Sequence, residues 1–315
     1  MSLPTNHPRA KRTPNPVHEM FIADLEGERV DQAVARLSVG LSRSRGARLI
    51  DTGHVLVNGQ ITKPSNNLHL GDRIALEIPL EVKRPIAAES MPISVLYRDD
   101  DLLVVDKPSG VVVHPAPGHD DGTLVNGLLG LDPELRVGEA HRPGLVHRLD
   151  RDTSGVMVIA RNDRAMQSLQ NQWALRSVIK MYRALVIGIP ANPQAIIDAP
   201  IGRDTHVRER MAIVHRGRDA RTDYTIVERF HGYALLDVRI WTGRTHQIRV
   251  HFASIGHPVV GDSVYGRASL PVPRQMLHAW RLTIIHPTSG EICTFEAPMP
   301  QDFEEALATL RVSMP

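Results

Sequence analysis

The chain has 315 residues, of which 42% are hydrophobic and 23% are charged. This balance is typical of a globular protein with a core and excludes a chain that is disordered throughout, and the length favours two domains. The formal net charge is +2, and only five of the 37 basic residues are lysines, which leaves 32 arginines. Such a bias indicates either a GC-rich genome or bidentate binding of phosphate and carboxylate groups.

Cysteine usage and the charge-free segments restrict the cellular setting. Cys293 is the only cysteine, which excludes an internal disulfide and a thiolate metal cluster and favours a reducing, cytoplasmic compartment. The longest segment without a formal charge, Ala184 to Ile197, is too short for a membrane span and contains two prolines. Residues 1–18 are proline-rich and basic and lack a signal-peptide core, so we expect a flexible basic tail.

Residues 19–80 predict a small ααβ module, joined by a linker over residues 81–90 to the rest of the chain. Apolar residues at helical spacing mark a first helix, at Val30, Val34 and Leu37. Ser42 or Ser44 is a suitable N-cap for a second helix, although Gly46 weakens it. An Asn-Gly turn within HVLVNGQIT predicts a hairpin, and LGDRIALEIP predicts a further strand.

The second helix carries a local basic patch. Between Arg36 and Arg48 there are four arginines and no acidic residue. A solvated helix face would explain such a run, and so would contact with a nucleic-acid backbone. On the second interpretation Arg43, Arg45 and Arg48 are the candidate phosphate-binding residues.

Residues 91–315 predict one α+β domain with a mixed, largely antiparallel sheet. Strand-like runs outnumber helical ones, and helices fit only near residues 123–131, 163–176, 246–255 and 302–311. These helices are too few and too irregular for a repeated βαβ pattern. Phosphate-loop, dinucleotide-binding and HExxH motifs are missing from the sequence, so we expect neither a nucleotide cofactor nor a metal.

The segment HRPGLVHRLDRDTSGVMVIARN, residues 141–162, crowds arginines around Asp150 and Asp152 and then enters an apolar strand. These groups could simply form ion pairs in a turn. Alternatively, arginine such as Arg148 favours the ionised form of Asp150 and holds it in one rotamer, as a nucleophile or a base requires.

A second basic cluster lies in residues 241–266, with Arg244, His246 and Arg249. Thr245 is a plausible cap for a helix whose apolar stripe consists of Ile248, Phe252 and Ile255 and which Gly256 ends. Arg249 then lies beside the buried stripe, so it either extends to solvent or meets a carboxylate, for which Asp150 is the candidate.

Two further segments favour contact with RNA. Tyr182, in KMYRALVIG, could present its ring to a base, although a core position is the commoner fate of tyrosine. Residues 201–222 contain six arginines and many turn residues, which predicts an exposed loop suited to a nucleic-acid backbone.

The motifs VVDKPSGVVVHP, HRLDRDTSG, KMYRALVIG and TGRTHQIRVH occur in an order that resembles the RluA family of pseudouridine synthases, from about Ile93 to Arg311. SRSRGARLIDTGHVLVNG similarly resembles the S-four type (alpha-L) RNA-binding domain. The resemblance implies isomerisation of uridine to pseudouridine in 23S ribosomal RNA or a precursor of the large subunit, with a helix 69 stem-loop as the expected target. It implies no cofactor and no membrane partner.

The same resemblance assigns roles to single residues. Asp150 is the catalytic aspartate, Arg148 helps to extrude the uridine, Tyr182 packs on the target base and Arg249 pairs with Asp150; Asp152 supports them. Arg244 and His246 join the three arginines of the second helix as RNA-binding residues. The residues leave open whether Asp150 attacks the ribose or removes a ribose proton.

Two other functions fit parts of the sequence. A catalytically silent RNA-binding or ribosome-assembly factor would keep the basic surfaces but would not need Asp150. A nucleoside or glycoside hydrolase would also use a carboxylate near a sugar, but the sequence offers no convincing second carboxylate as general acid.

Overall fold

The computed structural model describes residues 16–39, 41–79, 86–116, 118–139, 141–205, 207 and 210–312. The chain forms two compact units, residues 1–84 and 85–315. Residues 1–15 of the predicted tail lie outside the described residues, whereas Val17 and His18 already belong to a strand. Residues 86–90 of the predicted linker belong to the second unit, where the Asn126 amide donates to the Ala87 carbonyl. The exact domain limits stay predictions.

The first unit is a small α+β module. In chain order its elements are β1 (Val17–Ile22), α1 (Val30–Leu37), α2 (Arg43–Asp51), β2 (Val55–Val57), β3 (Gln60–Ile61) and β4 (Arg73–Ile78). The strands form an antiparallel sheet in the order β1-β4-β2-β3. The predicted pair of helices, the hairpin and the following strand are confirmed, while β1 adds an edge strand that the sequence pattern does not indicate.

Local residues explain these elements. Ser42 caps α2, its hydroxyl accepting a hydrogen bond from the Arg45 N–H at 3.3 Å. Asn58 and Gly59 both have positive φ, at 51° and 80°, as the tight turn between β2 and β3 requires. A β-carbon on Gly46 would lie 3.3 Å from a methyl group of Val34, so the glycine allows α1 and α2 to pack closely.

The second unit contains the larger sheet and four helices among the described residues. Its elements are β5 (Ser94–Arg98), β6 (Leu102–Lys107), α3 (Leu124–Leu131), β7 (Ser154–Ala160), α4 (Asp163–Ala174), β8 (Ile179–Ile187), β9 (Gln194–Asp198), β10 (Ile201–Arg203), β11 (Met211–Ile213), β12 (Arg221–Phe230), β13 (Tyr233–Ile240), α5 (Gln247–Ser254), β14 (Leu277–Ile285), β15 (Ile292–Glu296) and α6 (Gln301–Val312). The four predicted helices are confirmed within a few residues.

The sheet runs in the order β5-β6-β7-β14-β8-β13-β12-β9, with β15 paired to β14. Among the strands described, β7 with β14 is a parallel pair and the other pairs are antiparallel. The predicted α+β class with a largely antiparallel sheet is therefore confirmed.

The central strands position the chemistry-bearing segments. Strand β7 is buried along its whole length and directly follows the segment that carries Asp150. Tyr182 lies on β8, and α5 follows β13. Because β7, β14, β8 and β13 are consecutive neighbours in the sheet, segments about 100 residues apart in sequence meet at one place.

The arginine-rich segment 201–222 differs from its prediction as an exposed loop. It contains the hairpin β10–β11, and its ends are anchored because Ile201 and Ala220 are buried against Val250 of α5. Apolar residues at both ends of the segment thus tie it to the domain, while arginines such as Arg216 and Arg218 remain exposed.

The described residues contain neither a membrane-spanning helix nor a metal-binding cluster. No helix there has the length and apolar character that a bilayer span needs. No group of three or more histidine, cysteine, aspartate or glutamate side chains there is arranged to hold a metal ion.

We predict that Gly155→Ala strongly destabilises the second unit. Gly155 has φ of 123°, and a β-carbon there would collide with the backbone of Ala279 on β14. Strain and overpacking together should lower the free energy of unfolding by about 3 kcal/mol or more, measured by urea denaturation. Gly232→Ala is the matched control, since Gly232 also has positive φ but open space around it; its cost should stay near 1–2 kcal/mol. Equal losses would contradict the close packing of β7 on β14.

Candidate active site

A cleft of about 70 Å³ lies where the segment before β7, strand β8 and the start of α5 meet. Six of the candidate site residues line it: Arg148, Asp150, Tyr182, Arg244, His246 and Arg249. The cleft therefore collects candidates from three separate parts of the sequence.

The Asp150 carboxylate is partly accessible in this cleft. Its side chain is 20% exposed, and its Oδ2 lies 3.3 Å from Nη1 of Arg249. The ion pair that the sequence suggested is thus present. The Asp150 carbonyl also accepts a hydrogen bond from the Thr153 N–H at 3.2 Å, which closes a turn immediately before β7.

Arg249 makes its main ion pair with a different carboxylate. Its guanidinium is buried, at 5% exposure, and donates from Nε and Nη2 to the two oxygens of Asp262 at 2.7 and 2.9 Å. Asp262 satisfies most of the buried positive charge, so Arg249 reaches Asp150 through one longer contact. Asp150 consequently keeps an oxygen without a hydrogen bond from any described residue.

Asp262 is the site residue that sequence reasoning missed. Its carboxylate also accepts hydrogen bonds from the backbone N–H groups of Val264 and Tyr265, at 2.9 and 3.0 Å. Burial opposes ionisation, but the hydrogen bonds and charge of Arg249 prevail and hold the pKa of Asp262 below its usual value. The sequence could have indicated this residue, because a buried Arg249 requires a carboxylate and the motif GDSVYG supplies Asp262 13 residues later.

A second missed residue, Lys107, fixes the loop that carries Asp150. Its ammonium group is fully buried and donates to the carbonyls of Pro108, Val111 and Arg151 at 2.7, 2.9 and 2.9 Å. Burial lowers the pKa of Lys107 to about 7, whereas three acceptors favour the ammonium form, which carries three hydrogens. The sequence could have indicated this role, because Lys107 ends an apolar strand and lysine is rare in this chain.

The beginning of α5 departs from its prediction. The N-cap is His246, whose φ is 57°, and not Thr245. Gln247 takes over the polar contacts, because its side-chain oxygen accepts from the Thr242 hydroxyl at 2.7 Å and from the Arg244 N–H at 3.1 Å. The predicted apolar stripe is also shorter: Ile248 and Phe252 are buried, but Ile255 is 40% exposed since it lies past the helix end.

Tyr182 lines the cleft beside Asp150, and Tyr265 contacts its other lining residues, His246 and Arg249. Tyr182 is 9% exposed, and burial together with the nearby charge of Asp150 raises its pKa far above the usual value, so the phenol is neutral at pH 7. The hydroxyl of Tyr265 lies 2.9 Å from Nδ1 of His246, within hydrogen-bond distance. Burial lowers the pKa of His246, which favours a neutral ring.

The remaining candidates occupy different surroundings. Arg148 is exposed at the cleft and makes no ion pair with any described residue, whereas Nε of Arg244 donates to the Asp219 carbonyl at 2.9 Å. Asp152 pairs with its neighbour Arg151 at 3.0 Å and does not line the cleft.

The three helix arginines belong to the first unit, on α2. Nε of Arg43 donates to the buried carboxylate of Asp31 at 3.0 Å, so part of its charge is matched within the protein. Arg45 is half-buried and Arg48 is exposed.

Comparison with known proteins identifies the family. A model of the RNA pseudouridylate synthase family matches residues 101–254, and a model of the S4 domain matches residues 28–74. An RNA pseudouridine synthase from Chloroflexus aurantiacus is 50% identical over 286 residues, covering 90% of each chain. The chain belongs to the RluA family of RNA pseudouridine synthases. The predicted enzyme class, an isomerase acting on RNA, and the S4 domain are thereby confirmed.

Further relatives agree with this family. The ribosomal large subunit pseudouridine synthase D of Pseudomonas aeruginosa is 42% identical, covering 91% of this chain and 93% of its own. The solved structure of human RNA pseudouridylate synthase domain containing 1 is 30% identical, with a TM-score of 0.54, and covers 70% of this chain and 96% of its own. The pseudouridine synthase domain of this chain thus has the fold of an experimentally solved relative.

We predict that Asp262→Asn destabilises the protein by about 3–5 kcal/mol at pH 7, because it leaves the buried guanidinium of Arg249 without its main partner. The folded-state pKa of Asp262 is lowered, so the stability it contributes is present above the ordinary carboxyl pKa and is lost as the pH falls below it. The deficit of the variant should therefore shrink between pH 7 and pH 3, as followed by urea denaturation.

The matched control is Glu296→Gln, which breaks the exposed ion pair with Arg281. It should cost less than about 1 kcal/mol. A deficit in Asp262→Asn that is equally small, or that does not change with pH, would show that the buried pair does not stabilise the site.

Proposed function

We propose that this enzyme converts specific uridines to pseudouridine in 23S ribosomal RNA, in the cytoplasm, with Asp150 as the catalytic carboxylate. The observation that carries the proposal is the placement of Asp150 in a cleft with Tyr182, Arg148 and Arg249. Relatives 42–43% identical over most of the chain are named ribosomal large subunit pseudouridine synthase D, which supports a large-subunit RNA substrate. Among its sites we infer a helix 69 stem-loop, or the same RNA in a precursor of the large subunit.

The reaction rearranges bonds without oxidation or loss of atoms. The bond between ribose C1′ and uracil N1 breaks, the base rotates, and a bond forms between C1′ and C5. The proton on C5 leaves and N1 gains a proton, so the product is an isomer of the substrate. This balance requires neither an electron acceptor nor an activated group.

The residues of the cleft suit the steps of this reaction. A stacked uridine hides its anomeric carbon, so the enzyme must extrude the base at a cost of a few kcal/mol. The guanidinium of Arg148, which has no ion pair with a described residue, can occupy the vacated stack. The buried, neutral ring of Tyr182 offers an apolar face on which uracil can pack.

Asp150 meets the requirements of a group that acts on the ribose. Its contact with Arg249 restricts the rotamer of the carboxylate, while one oxygen has no hydrogen-bond partner among the described residues. An ionised carboxylate there can start the reaction by attack on C1′ or by removal of the C2′ proton. Arg249 acts through Asp150 and is a positioning residue.

The first unit supplies a separate surface for RNA. Its α2 helix carries Arg43, Arg45 and Arg48, and we infer that these arginines bind phosphates of the substrate. Loops of RNA are favourable targets for the second unit, since their bases are already partly unstacked.

We predict that Asp150→Asn binds substrate RNA with wild-type affinity but makes no pseudouridine. The variant keeps the shape of the side chain and loses the charge, so turnover should fall by about 10⁴-fold or more. Binding of a helix 69 stem-loop RNA is measured by filter retention. To measure product, the RNA is digested to nucleosides, and pseudouridine is separated from uridine, which has the same mass, by chromatography.

Asp163→Asn is the matched control, since Asp163 is exposed at the start of α4, away from the cleft. Its turnover should equal that of the wild type. Wild-type turnover by Asp150→Asn would refute the assignment, and release of free uracil by the wild-type enzyme would indicate a hydrolase.

Ribosomal RNA from cells without the gene should lack the corresponding pseudouridines. An unchanged pseudouridine map would leave the RNA-binding assembly factor as the better interpretation.

We predict that joint replacement of Arg43, Arg45 and Arg48 by glutamine weakens RNA binding and lowers its dependence on salt. Loss of three phosphate contacts should reduce the slope of log K against log salt by about 2–3. Arg36→Gln is the control on the same module, because Arg36 already pairs with Asp24 and Glu28. An unchanged slope in the triple variant would exclude α2 as a phosphate-binding surface.

A further inference from the structure

A larger cavity of about 540 Å³ adjoins the catalytic cleft. The two share part of their lining, including Arg148, Tyr182 and Arg244. The cavity has the size of a site for a nucleotide-sized ligand. Among the described residues its lining contains no acidic residue but six cationic ones: Arg142, Arg148, Arg176, Lys180, Arg218 and Arg244.

Lys180 is the buried member of this set. Its side chain is 9% exposed, on strand β8, and its ammonium group has no hydrogen bond or ion pair with any described residue. Burial and the nearby charges of Arg176 and Arg239 lower its pKa to about 8. An unpaired buried charge is costly, so a site that keeps one is arranged for an external counter-ion.

The neighbouring histidine adds a neutral hydrogen-bond donor. Nε2 of His147 accepts a hydrogen bond from the Val158 N–H at 3.1 Å, so the ring proton must lie on Nδ1. Burial lowers the pKa of His147 to about 3, which keeps the ring in this neutral form. The described residues offer no acceptor for Nδ1–H. The cavity is therefore lined by donors and cations, the surroundings that an oxyanion requires.

The strand geometry relates this cavity to the catalytic cleft. Lys180 and Tyr182 are two residues apart on β8, and both are buried, so they lie on the same face of the sheet. Two residues along a strand span about 7 Å. Hydrogen bonds to β13 and β14 hold this part of β8 on both sides. The backbone of Lys180 is thus held about one pleat away from that of Tyr182.

We infer that this cavity, with Lys180 at its base, binds a phosphodiester group of the RNA strand next to the extruded uridine. The inference rests on the proposed function, because the neighbouring cleft must hold the uridine. The exposed arginines at the rim, such as Arg142, Arg176 and Arg218, bind the same stretch of backbone less specifically. Lys180 is a binding residue that sets the position of the strand, and it takes no part in bond breaking.

The test compares Lys180→Met with Lys180→Arg on a stem-loop RNA that the wild type modifies. Lys180→Met should raise KM and Kd about ten- to a hundredfold, leave kcat within about threefold, and reduce the salt slope by about 0.7–0.9. Lys180→Arg should recover most of the affinity. Arg311→Met is the control. Arg311 lies on α6, outside both cavities, and the variant removes one charge from its exposed pair with Glu228.

Neutral methylphosphonate linkages then locate the contact. They are placed one at a time at the three linkages on each side of the target uridine. At one linkage the modification should lower the affinity of the wild type about tenfold and leave the affinity of Lys180→Met unchanged. Equal losses in both proteins at every linkage, or unchanged KM in Lys180→Met, would overturn the inference while pseudouridine formation by the wild type still supports the proposed function.

Free inorganic phosphate is the other ligand that could occupy this cavity. Inorganic phosphate is added at roughly tens of millimolar to both proteins, and sodium chloride at the same ionic strength is the control. Thermal stabilisation of the wild type alone, without any linkage-specific effect, would assign the cavity to a free phosphate and refute the strand contact. Absence of stabilisation together with one Lys180-dependent linkage is the expected result.

Discussion

The candidate site depends on how one buried guanidinium is neutralised. Arg249 lies on α5 with almost no exposure, and a group of this kind is unfavourable in the interior unless carboxylates surround it. Asp262 provides the bidentate partner, and Asp150 receives a single longer contact. This division of labour orients Asp150 while its carboxylate remains available to a substrate.

The wider charge pattern follows from the same constraint. Arg249 and Arg274 lie in the interior, each paired with a carboxylate. Arg148 and Lys180, which have no carboxylate partner in the described part of the chain, line the cavities. The cations of the chain therefore include some that pair with buried carboxylates and some that line open cavities, and their placement distinguishes the two groups better than composition does.

Much of the fold can be predicted from the sequence because its signals are local. Periodic apolar residues, the Ser42 cap and the Asn58-Gly59 turn each act within a few residues, and the corresponding elements are present. The Asp150–Arg249 pair could be anticipated because a buried arginine needs a carboxylate. Which carboxylate forms the stronger pair could not, since a long-range contact depends on the complete packing of the domain.

The predictions that were wrong also concern features that local sequence signals do not determine. Thr245 has the chemistry of a cap, but the turn places His246 at that position and uses the side chain of Gln247 instead. Ile255 fits the helical period, yet the helix ends before it. Ile201 and Ala220 anchor a segment whose polar composition suggests a loop, because their partner Val250 is about 30–50 residues away in sequence.

The contacts that hold Asp150 join parts of the chain that are made at different times. Lys107 fixes the loop, Arg249 is 99 residues beyond Asp150, and Asp262 follows 13 residues later. During synthesis on the ribosome, the S4 domain and the strand before Asp150 emerge long before the residues that orient the carboxylate. The S4 domain is thus synthesised completely before the residues that orient the carboxylate are made.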